Sequence, residues 1–535
     1  MRRAAHLNSV TTMDKQELLL NSDNDYIKTS SSSSSVSSSS KITASLYTCA
    51  ILGAAGACQF GIHIGVVNAP QANIQSDLNL STVELSLVVA SFAIAAFAGA
   101  TVAPRFVDSW GRRPFLIALE WFHVFGGGLC VAVAFLKNST SSSTQLAAYA
   151  LLLLARVSFG FGSGCASVAV PMYLGEIAPL HLKGSFGALN QFGIVVLLLV
   201  GQLISLGMSG SSMWAWMFAI PGVIGLAVIL SSQALLLESP RWLVSKGKFD
   251  EARDVLVKFR GYSAADADSE IAEYVEDSND GAEDDGGKEK KQVSLSEIIA
   301  DPILRAPLIV ACVLQLTQQF SGINAVFFYS TSFFEDAVSS PGDTTVSSNA
   351  QTVATWGTIA TGAINVIATA ASIPLIERAG RKPLLLWAIG GMLTCALLLT
   401  GVLAAKTQAP AYSQTFGWLS IAFVLIYVVF FEIGLGAIPW SIGGEMFPEE
   451  SRATAMSAAA ACNWAGTTAV GFFFPILQEA LGNYSFVPFA AWLLGGFVFV
   501  LFMVPETKGK TPAELLRWFG ARSGGGYASV NARDV

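Results

Sequence analysis

Side-chain amides interrupt the long apolar runs of this chain, and their chemistry suits a neutral ligand with many hydroxyl groups. Gln318, Gln319 and Asn324 lie within one such run. An amide group both donates and accepts hydrogen bonds, as a hydroxyl does, and a buried polar group is costly without a partner. Four further residues lie in other apolar runs: Gln191, Asn365, Trp440 and Asn463. For any one of these amides alone, hydrogen bonding between helices is the alternative.

The seven residues as a set indicate a binding site for a neutral polyol. Trp440 offers an apolar face and one N–H donor, which suits the C–H face of a pyranose ring. No carboxylate stands among them, as expected for an uncharged ligand. The seven cysteines show no metal-ligand spacing and all fall within apolar runs, so we interpret them as packing residues. No metal, cofactor or enzymatic nucleophile–base pair is expected.

The composition predicts that membrane-spanning helices carry these amides. Hydrophobic residues make up 53% of the 535 residues and charged residues only 13%, about half the share in a soluble domain. A membrane-spanning helix needs about 20 apolar residues, which is too long for a barrel strand. We predict twelve spans at 45–67, 84–104, 115–136, 146–170, 185–207, 214–237, 304–330, 351–376, 384–405, 415–441, 453–476 and 486–504.

The distribution of basic residues predicts the orientation. With the N-terminus inside, 28 of the 31 Lys and Arg residues fall in cytoplasmic segments. Lys137 and Lys406 fall outside, and Arg156 lies within a span. This asymmetry predicts that both termini are cytoplasmic, and because the basic residues are scattered, it argues against nucleic-acid binding. Three glycosylation sequons fall in loops predicted to be extracellular: Asn79, Asn138 and Asn483.

The chain divides into two six-span halves between polar segments. We expect a disordered, Ser-rich N-terminal tail, a cytoplasmic linker with short helices and an acidic disordered middle, and a cytoplasmic C-terminal tail. The segments in order are 1–44, 45–237, 238–303, 304–509 and 510–535. A motif running from Asp108 to Pro114 recurs as Glu377 to Pro383, 269 residues later. A shared offset across separate motifs indicates an internal repeat, the plan of transporters with a site between the halves.

The repeated motifs place acids and bases at the cytoplasmic ends of the spans. We interpret them as a charge latch that locks one conformation, with topology marking by basic residues as the alternative. The latch residues are Asp108, Arg112, Arg113, Glu176, Lys183, Glu377, Arg381, Lys382, Glu445 and Arg452. The Gly- and Pro-containing stretch from Gly434 to Trp440 predicts a bent gate in the tenth span, with a static kink as the alternative.

Five stretches of the chain closely resemble the sugar porter family of the major facilitator superfamily, and within it the facilitative glucose transporters of animals. They start at Pro171, Asn190, Glu238, Gln315 and Pro505, and the resemblance covers about residues 45–515. It implies twelve helices in the major facilitator fold and a rocker-switch mechanism. It also implies that the seven residues above contact sugar, and that Phe320, Phe431 and Trp464 are aromatic wall and gate residues. Thr317 stands where glucose-preferring members have Ser.

His63 of the first span is the informative departure from the family. Proton-coupled relatives have Asp at this position, near an Arg matched by Arg156, and facilitators often have Asn. A protonatable group within a span is a functional suspect, and His titrates near physiological pH. A charged His63 would be repelled by Arg156, so we favour a neutral histidine and uncoupled transport.

The sequence therefore predicts a hexose transporter, most specifically a D-glucose uniporter, and not an enzyme. The alternatives are a proton–sugar symporter that uses His63 and a non-transporting sugar sensor. The expected partners are the hexose and the lipid bilayer, with no obligate protein partner. The plasma membrane is the expected location. A match to an acidic dileucine signal at Asp14, Leu18 and Leu19 leaves the vacuolar membrane as the alternative.

Overall fold

A computed structural model describes residues 43–139, 141–179, 182–208, 210, 212–279, 293–339 and 348–522. Within these ranges the fold is helical throughout. Eleven helical segments are long and apolar enough to cross a membrane, and a twelfth apolar helix is shorter. The first-half spans are Ala44–Asn68, Thr82–Trp110, Arg112–Leu136, Ser142–Ile177, Lys183–Met208 and Trp214–Leu235. The second-half spans are Pro302–Phe320 with Ile323–Val338, Ser348–Ala379, Arg381–Gln408, Ser413–Ile433 with Ile438–Met446, Glu449–Leu481 and Val487–Met503.

All twelve predicted spans are present, and most helices extend beyond the apolar run that predicted them. The fourth span, for example, runs from Ser142 to Ile177, beyond the predicted 146–170. The reason is that a helix continues through polar residues once its backbone leaves the lipid, whereas hydropathy marks only the lipid-embedded part. Two spans are interrupted: the seventh at residues 321–322 and the tenth at residues 434–437.

The cytoplasmic linker is attached to both halves. Its described helices are Pro240–Ser245, Phe249–Arg260, Ala264–Asn279 and Leu295–Ala300. The hydroxyl of Thr43, at the start of the first span, donates to the carbonyl of Lys258 at 2.6 Å. At the other end of the linker, the backbone carbonyl of Val293 accepts from the Thr454 hydroxyl of the eleventh span at 2.8 Å. The predicted N-terminal tail is described only at residues 43 and 44. The first part of the acidic middle is helical, as Ala264–Asn279, and the C-terminal tail begins with the helix Pro512–Arg522. The remainder of both segments lies outside the described residues.

Glycine allows the first and fifth spans to approach backbone to backbone. A Cβ at Gly61 would lie 1.9 Å from the carbonyl oxygen of Ile194, and one at Gly65 would lie 2.4 Å from that of Leu198. Neither approach tolerates a side chain, so these positions require glycine. Close helix contact through small residues is a common way to pack spans in lipid. His63 lies between the two glycines, in the part of the first span where this approach occurs.

The charged motif of the first half forms a compact cluster at the cytoplasmic end. Arg112 pairs with Glu176 at 2.7 Å and with Asp108 at 3.3 Å. Glu238 accepts the backbone N–H groups of Arg112 and Arg113 at 3.0 and 3.2 Å. These are the first amides of the third span, so the carboxylate caps its N-terminus.

The second half repeats the Arg–Glu pair and the capping carboxylate of this cluster. Arg381 pairs with Glu445 at 2.8 Å. Glu506 accepts the backbone N–H groups of Arg381 and Lys382 at 3.0 and 3.1 Å, which caps the ninth span. Before each cap lies a glycine with positive φ, Gly111 at 101° and Gly380 at 89°. The repeat that the sequence indicates is therefore also a repeat of contacts.

The ion pairs described for these motifs join helices of the same half. Arg112 bonds only within the first half, and Arg381 only within the second, among the contacts that the structure describes. Arg452 donates to the carbonyl of Phe447, close by in its own half. The side chains of Lys183 and Glu377 lie outside the described residues. Pairing between the halves, as a latch requires, therefore stays a prediction for another conformation.

We expect the two capping carboxylates, Glu238 and Glu506, to make the stability of the protein depend on pH in opposite directions. Burial raises the pKa of Glu238 despite its amide donors. At Glu506 burial acts in the same direction, but the backbone N–H groups of Lys508, Arg381 and Lys382 outweigh it and lower the pKa. The stabilisation from Glu506 is thus present above its ordinary pKa and lost as pH falls through its folded pKa. The contribution of Glu238 to the free energy of unfolding is present at low pH and lost as pH rises.

Glu506→Gln should therefore lower the unfolding temperature of the detergent-solubilised protein at pH 7 and flatten its decline toward pH 4. A charge at a helix terminus is typically worth about 0.3–1 kcal/mol. Glu238→Gln, the matched change in the other half, should cause a smaller loss at pH 7. Tryptophan fluorescence during heating measures both. Equal losses in the two variants at pH 7 would contradict the opposite pKa directions.

Candidate functional site

Four predicted amides form one hydrogen-bonded cluster in the second half. Gln319 donates to Asn463 of the eleventh span at 3.0 Å and to Gln318 at 3.3 Å, and it accepts from Asn324. Asn463 in turn donates to Gln318 at 2.5 Å and to Gln315 at 2.6 Å. Gln318, Gln319, Asn324 and Asn463 are each no more than 6% exposed. The cluster fixes these amides in place before any ligand binds.

The amide of Gln318 also stabilises the break in the tenth span. Its Nε2 donates to the carbonyls of Leu435 and Gly436 at 2.6 and 3.0 Å. These carbonyls lie in the interruption between Ile433 and Ile438, where helical bonding stops. Unsatisfied carbonyls within lipid are costly, so the break depends on the seventh span. The predicted bend is present, and Trp440 is half-buried in the short helix that follows it.

Two predicted residues lie outside this bonded cluster. Asn365 of the eighth span is 1% exposed, and neither of its side-chain polar atoms has a hydrogen-bond partner among the described residues. Gln191 of the fifth span is half-buried. The fifth span packs against the eighth, across the boundary between the two halves. Asn365 therefore has hydrogen-bonding capacity that the described protein atoms do not use.

A carboxylate stands near the amides, contrary to the sequence-based expectation. Glu432 lies at the end of the first part of the tenth span and is 1% exposed. It accepts the hydroxyl of Thr369, one turn beyond Asn365 on the eighth span, at 2.9 Å. The sequence carries a signal that could have identified Glu432, because an ionisable residue inside an apolar run marks a functional position.

The three aromatic residues predicted to form the wall and gate lie in different surroundings. Trp464 lies between the halves: its Nε1 donates to Ser167 of the fourth span at 3.3 Å, and its ring contacts Phe60 of the first span at 5.1 Å. Phe431 is buried at 5% exposure. Phe320 instead packs on Trp492 of the twelfth span at 4.7 Å. One residue beyond Gln319, it lies about 100° around the helix, so its position does not support a role in the aromatic wall.

The extracellular ends of the halves are held together by Asn68. At the end of the first span, its Nδ2 donates to the carbonyl of Phe327 at 2.9 Å and to the Ser330 hydroxyl at 2.6 Å. Its Oδ1 accepts the backbone N–H of Thr331 at 3.1 Å. All three partners belong to the seventh span. The contacts close the outer side of the molecule in this conformation, and the sequence reasoning missed the residue that closes it.

His63 is part of a longer row of buried polar groups inside the first half. Its ring stacks on that of His123 of the third span, 5.5 Å between centroids. The Nδ1 of His123 lies 3.6 Å from Glu120, and Glu120 accepts from Gln59 at 2.5 Å. Arg156 donates to the carbonyl of Val88 at 3.1 Å and lies against aromatic rings. Hydropathy did not single out Glu120 and His123, because one polar turn barely lowers the average of a 25-residue span.

The predicted sequons share the outer end of the molecule. Asn79 and Asn138 are exposed and Asn483 is half-buried. Asn79 has a left-handed conformation, φ 51°, at the end of the short helix Gln71–Leu78, as asparagine tolerates. Their modification stays a prediction.

The chain matches the family model described as "Sugar (and other) transporter" over residues 48–519. It is 37% identical over 518 residues to solute carrier family 2, facilitated glucose transporter member 3 of Rattus norvegicus, covering 92% of this chain and 97% of the relative. It is 35% identical over 498 residues to member 4 of Homo sapiens, covering 88% and 90%.

Solved structures agree on the fold. The major facilitator proton:xylose symporter XylE, bound to 6-bromo-6-deoxy-D-glucose, matches with a TM-score of 0.69 at 25% identity. That match covers 89% of this chain and 99% of XylE. The inward open conformation of XylE from E. coli matches with a TM-score of 0.70 at 24% identity, covering 88% and 99%.

Proposed function

The chain belongs to the sugar transporter family, and we propose that it carries a hexose, in the first place D-glucose, by alternating access. The observation that carries the proposal is the bonded cluster of Gln318, Gln319 and Asn463. Preorganised amides in a buried site match hydroxyls that donate and accept, and ordering them in advance lowers the cost of binding. The similarity to facilitated glucose transporters supports the choice of hexose.

In the proposed cycle the amides contact the sugar while the two halves rock around it. Gln191 of the first half and Gln318, Gln319, Asn324, Asn365, Trp440 and Asn463 of the second are the proposed contacts. The outer closure at Asn68 opens as the cytoplasmic ends come together. The basic and acidic motifs of the two halves then meet, which is the state in which a latch would act. Phe431 and Trp464 are the proposed aromatic gate.

Uniport is the proposed mode of transport, because relatives that are more than one third identical to this chain are named facilitated transporters. Purified full-length protein in liposomes tests it. We expect D-glucose to enter until its concentrations are equal inside and out, with the same end point when the interior is made alkaline. Vesicles without protein set the leak. Absence of hexose flux in folded, reconstituted protein would contradict the proposed hexose transport.

One observation favours proton coupling as a second candidate. The row His63, His123 and Glu120 supplies three protonatable groups inside the first half, and XylE is named a proton symporter. Arg156 of the fourth span is the charged group that faces His63 from the other side. In this case an alkaline interior would drive glucose above its external concentration. Glu120→Gln should then abolish accumulation and leave equilibrium exchange intact.

We propose the plasma membrane as the location, as expected for a hexose carrier with extracellular sequons, and the vacuolar membrane is the alternative. The proposed partners of the protein are the hexose and the lipid bilayer. Fractionation of cells that express a tagged full-length chain distinguishes the two membranes.

A further inference from the structure

Gln202 of the fifth span is a buried amide whose hydrogen-bonding capacity is unused. Its side chain is 2% exposed, and neither Oε1 nor Nε2 has a partner within the described residues. Burying an amide without a partner disfavours the state in which this happens. Asn68 and Gln71, the buried amides of the nearby outer seal, are both bonded to the seventh span. Gln202 therefore differs from these two amides in having no hydrogen-bond partner among the described residues.

The face of the helix on which Gln202 lies also carries a proposed sugar contact. Gln202 follows Gln191 by 11 residues, which is about three full turns, or about 16 Å, toward the extracellular side. Val195 and Leu198 lie between them on this face and are each 2% exposed. The stripe faces the interior of the protein and ends in an amide at each end.

Gln202 contacts the second half at a glycine. A Cβ on Gly362 of the eighth span would lie 2.0 Å from the Oε1 of Gln202, so the side chain fits only because position 362 has none. Asn365 lies three residues further along the eighth span, on the same side of the helix. Its amide is likewise unbonded among the described residues. Two unused amides, one from each half, thus lie along the same seam.

The other polar groups near this seam satisfy one another. The hydroxyls of Ser330 and Thr331 lie 3.1 and 2.9 Å from that of Thr358 of the eighth span, and Ser330 also accepts from Asn68. This outer network is complete without a ligand. Gln202 and Asn365 are the amides along this seam whose capacity suits a group that is not part of the protein.

We propose that Gln202 and Asn365 form an outer sugar subsite at the seam between the fifth and eighth spans. A polyol that enters from the extracellular side bonds there before it reaches the cluster around Gln319. The subsite rests on the proposed function and extends it toward the outside. When the outer seal opens, Gln202 separates from Gly362 and can bond hydroxyls. When the seal closes on an empty protein, the amide is left unsatisfied.

External maltose, a disaccharide too large to be enclosed with the seal shut, is the probe. In cells that express the full chain, maltose added outside should inhibit exchange of labelled D-glucose. For Gln202→Leu we expect the half-inhibiting concentration to rise about 3- to 10-fold, the size of one lost hydrogen bond. Maltose on the cytoplasmic side, tested in inverted membrane vesicles, should inhibit the variant and the parent equally.

Thermal unfolding separates this role from a structural one. Leucine removes an unsatisfied buried amide, so Gln202→Leu should unfold at the same temperature as the parent or higher. Gln202→Asn keeps a shorter amide and serves if leucine prevents folding, and it should fall between the two in maltose inhibition. Gln145→Leu, a half-exposed position at the outer end of the fourth span, is the control.

Unchanged external inhibition in Gln202→Leu, with glucose exchange intact, would overturn the subsite and leave the proposed function standing. Equal weakening on both sides would also overturn it, because the subsite acts from outside only. Absence of glucose exchange in the unmutated protein would overturn the proposed function itself.

Discussion

Replacing Gln319 with alanine should reduce the kcat/KM for D-glucose about 10- to 100-fold. The side chain links Gln318, Asn324 and Asn463, so its loss removes one proposed sugar contact and releases the amides that it holds. A buried hydrogen bond that loses a partner costs about 1–3 kcal/mol, which is about 5- to 150-fold in an equilibrium constant. Initial rates of glucose uptake into proteoliposomes, over a range of concentrations, measure the change.

The control is Gln233→Ala, a glutamine with an exposed side chain in the sixth span. It should transport as the parent does. Size-exclusion profiles of both variants establish that equal amounts of folded protein are compared. Glucose uptake by Gln319→Ala at the parental rate, in folded protein, would remove the seventh-span amides from the proposed site.

Replacing Asn68 with leucine should slow net glucose transport about 10-fold or more while preserving the binding of sugar from outside. The change removes three hydrogen bonds between the first and seventh spans. The state that is closed on the outside loses this stabilisation, whereas a state that is open outside does not make these bonds. A shift of about 1–3 kcal/mol changes the ratio of the two states about 5- to 150-fold.

Inhibition by external maltose should therefore be unchanged or stronger in Asn68→Leu, which is opposite to the expectation for Gln202→Leu. Ser76→Ala, an exposed hydroxyl in the helix that follows, is the matched control. If Asn68→Leu bound external maltose more weakly and transported normally, the outer seal would not be set by this residue.

The spans and their order could be predicted because lipid imposes a length and an apolar composition on every helix that crosses it. The repeat was also readable, since Arg112 and Arg381 lie in similar motifs and pair with corresponding glutamates, Glu176 and Glu445. What hydropathy could not predict is which face of a helix points inward. Phe320 adjoins Gln319 in sequence but contacts the twelfth span.

Residues that act through a partner on a distant span were the hardest to predict. Asn68 sits at the end of an apolar run like many loop asparagines, and only its bonds to the seventh span give it a role. Glu120 and His123 gain theirs from His63 on another helix. Each depends on contacts between residues far apart in the chain, which spacing along the sequence does not encode.

The linker's attachments define where the molecule divides mechanically. Up to Asn279 its helices continue from the first half, whose leading residue Thr43 is bonded to them. From Val293 onward it is fastened to the eleventh span. In the proposed cycle the two halves rock against each other, and the chain between these attachments has only to connect them. We therefore expect the two halves to assemble along their shared seam when they are expressed as separate polypeptides divided between 279 and 293.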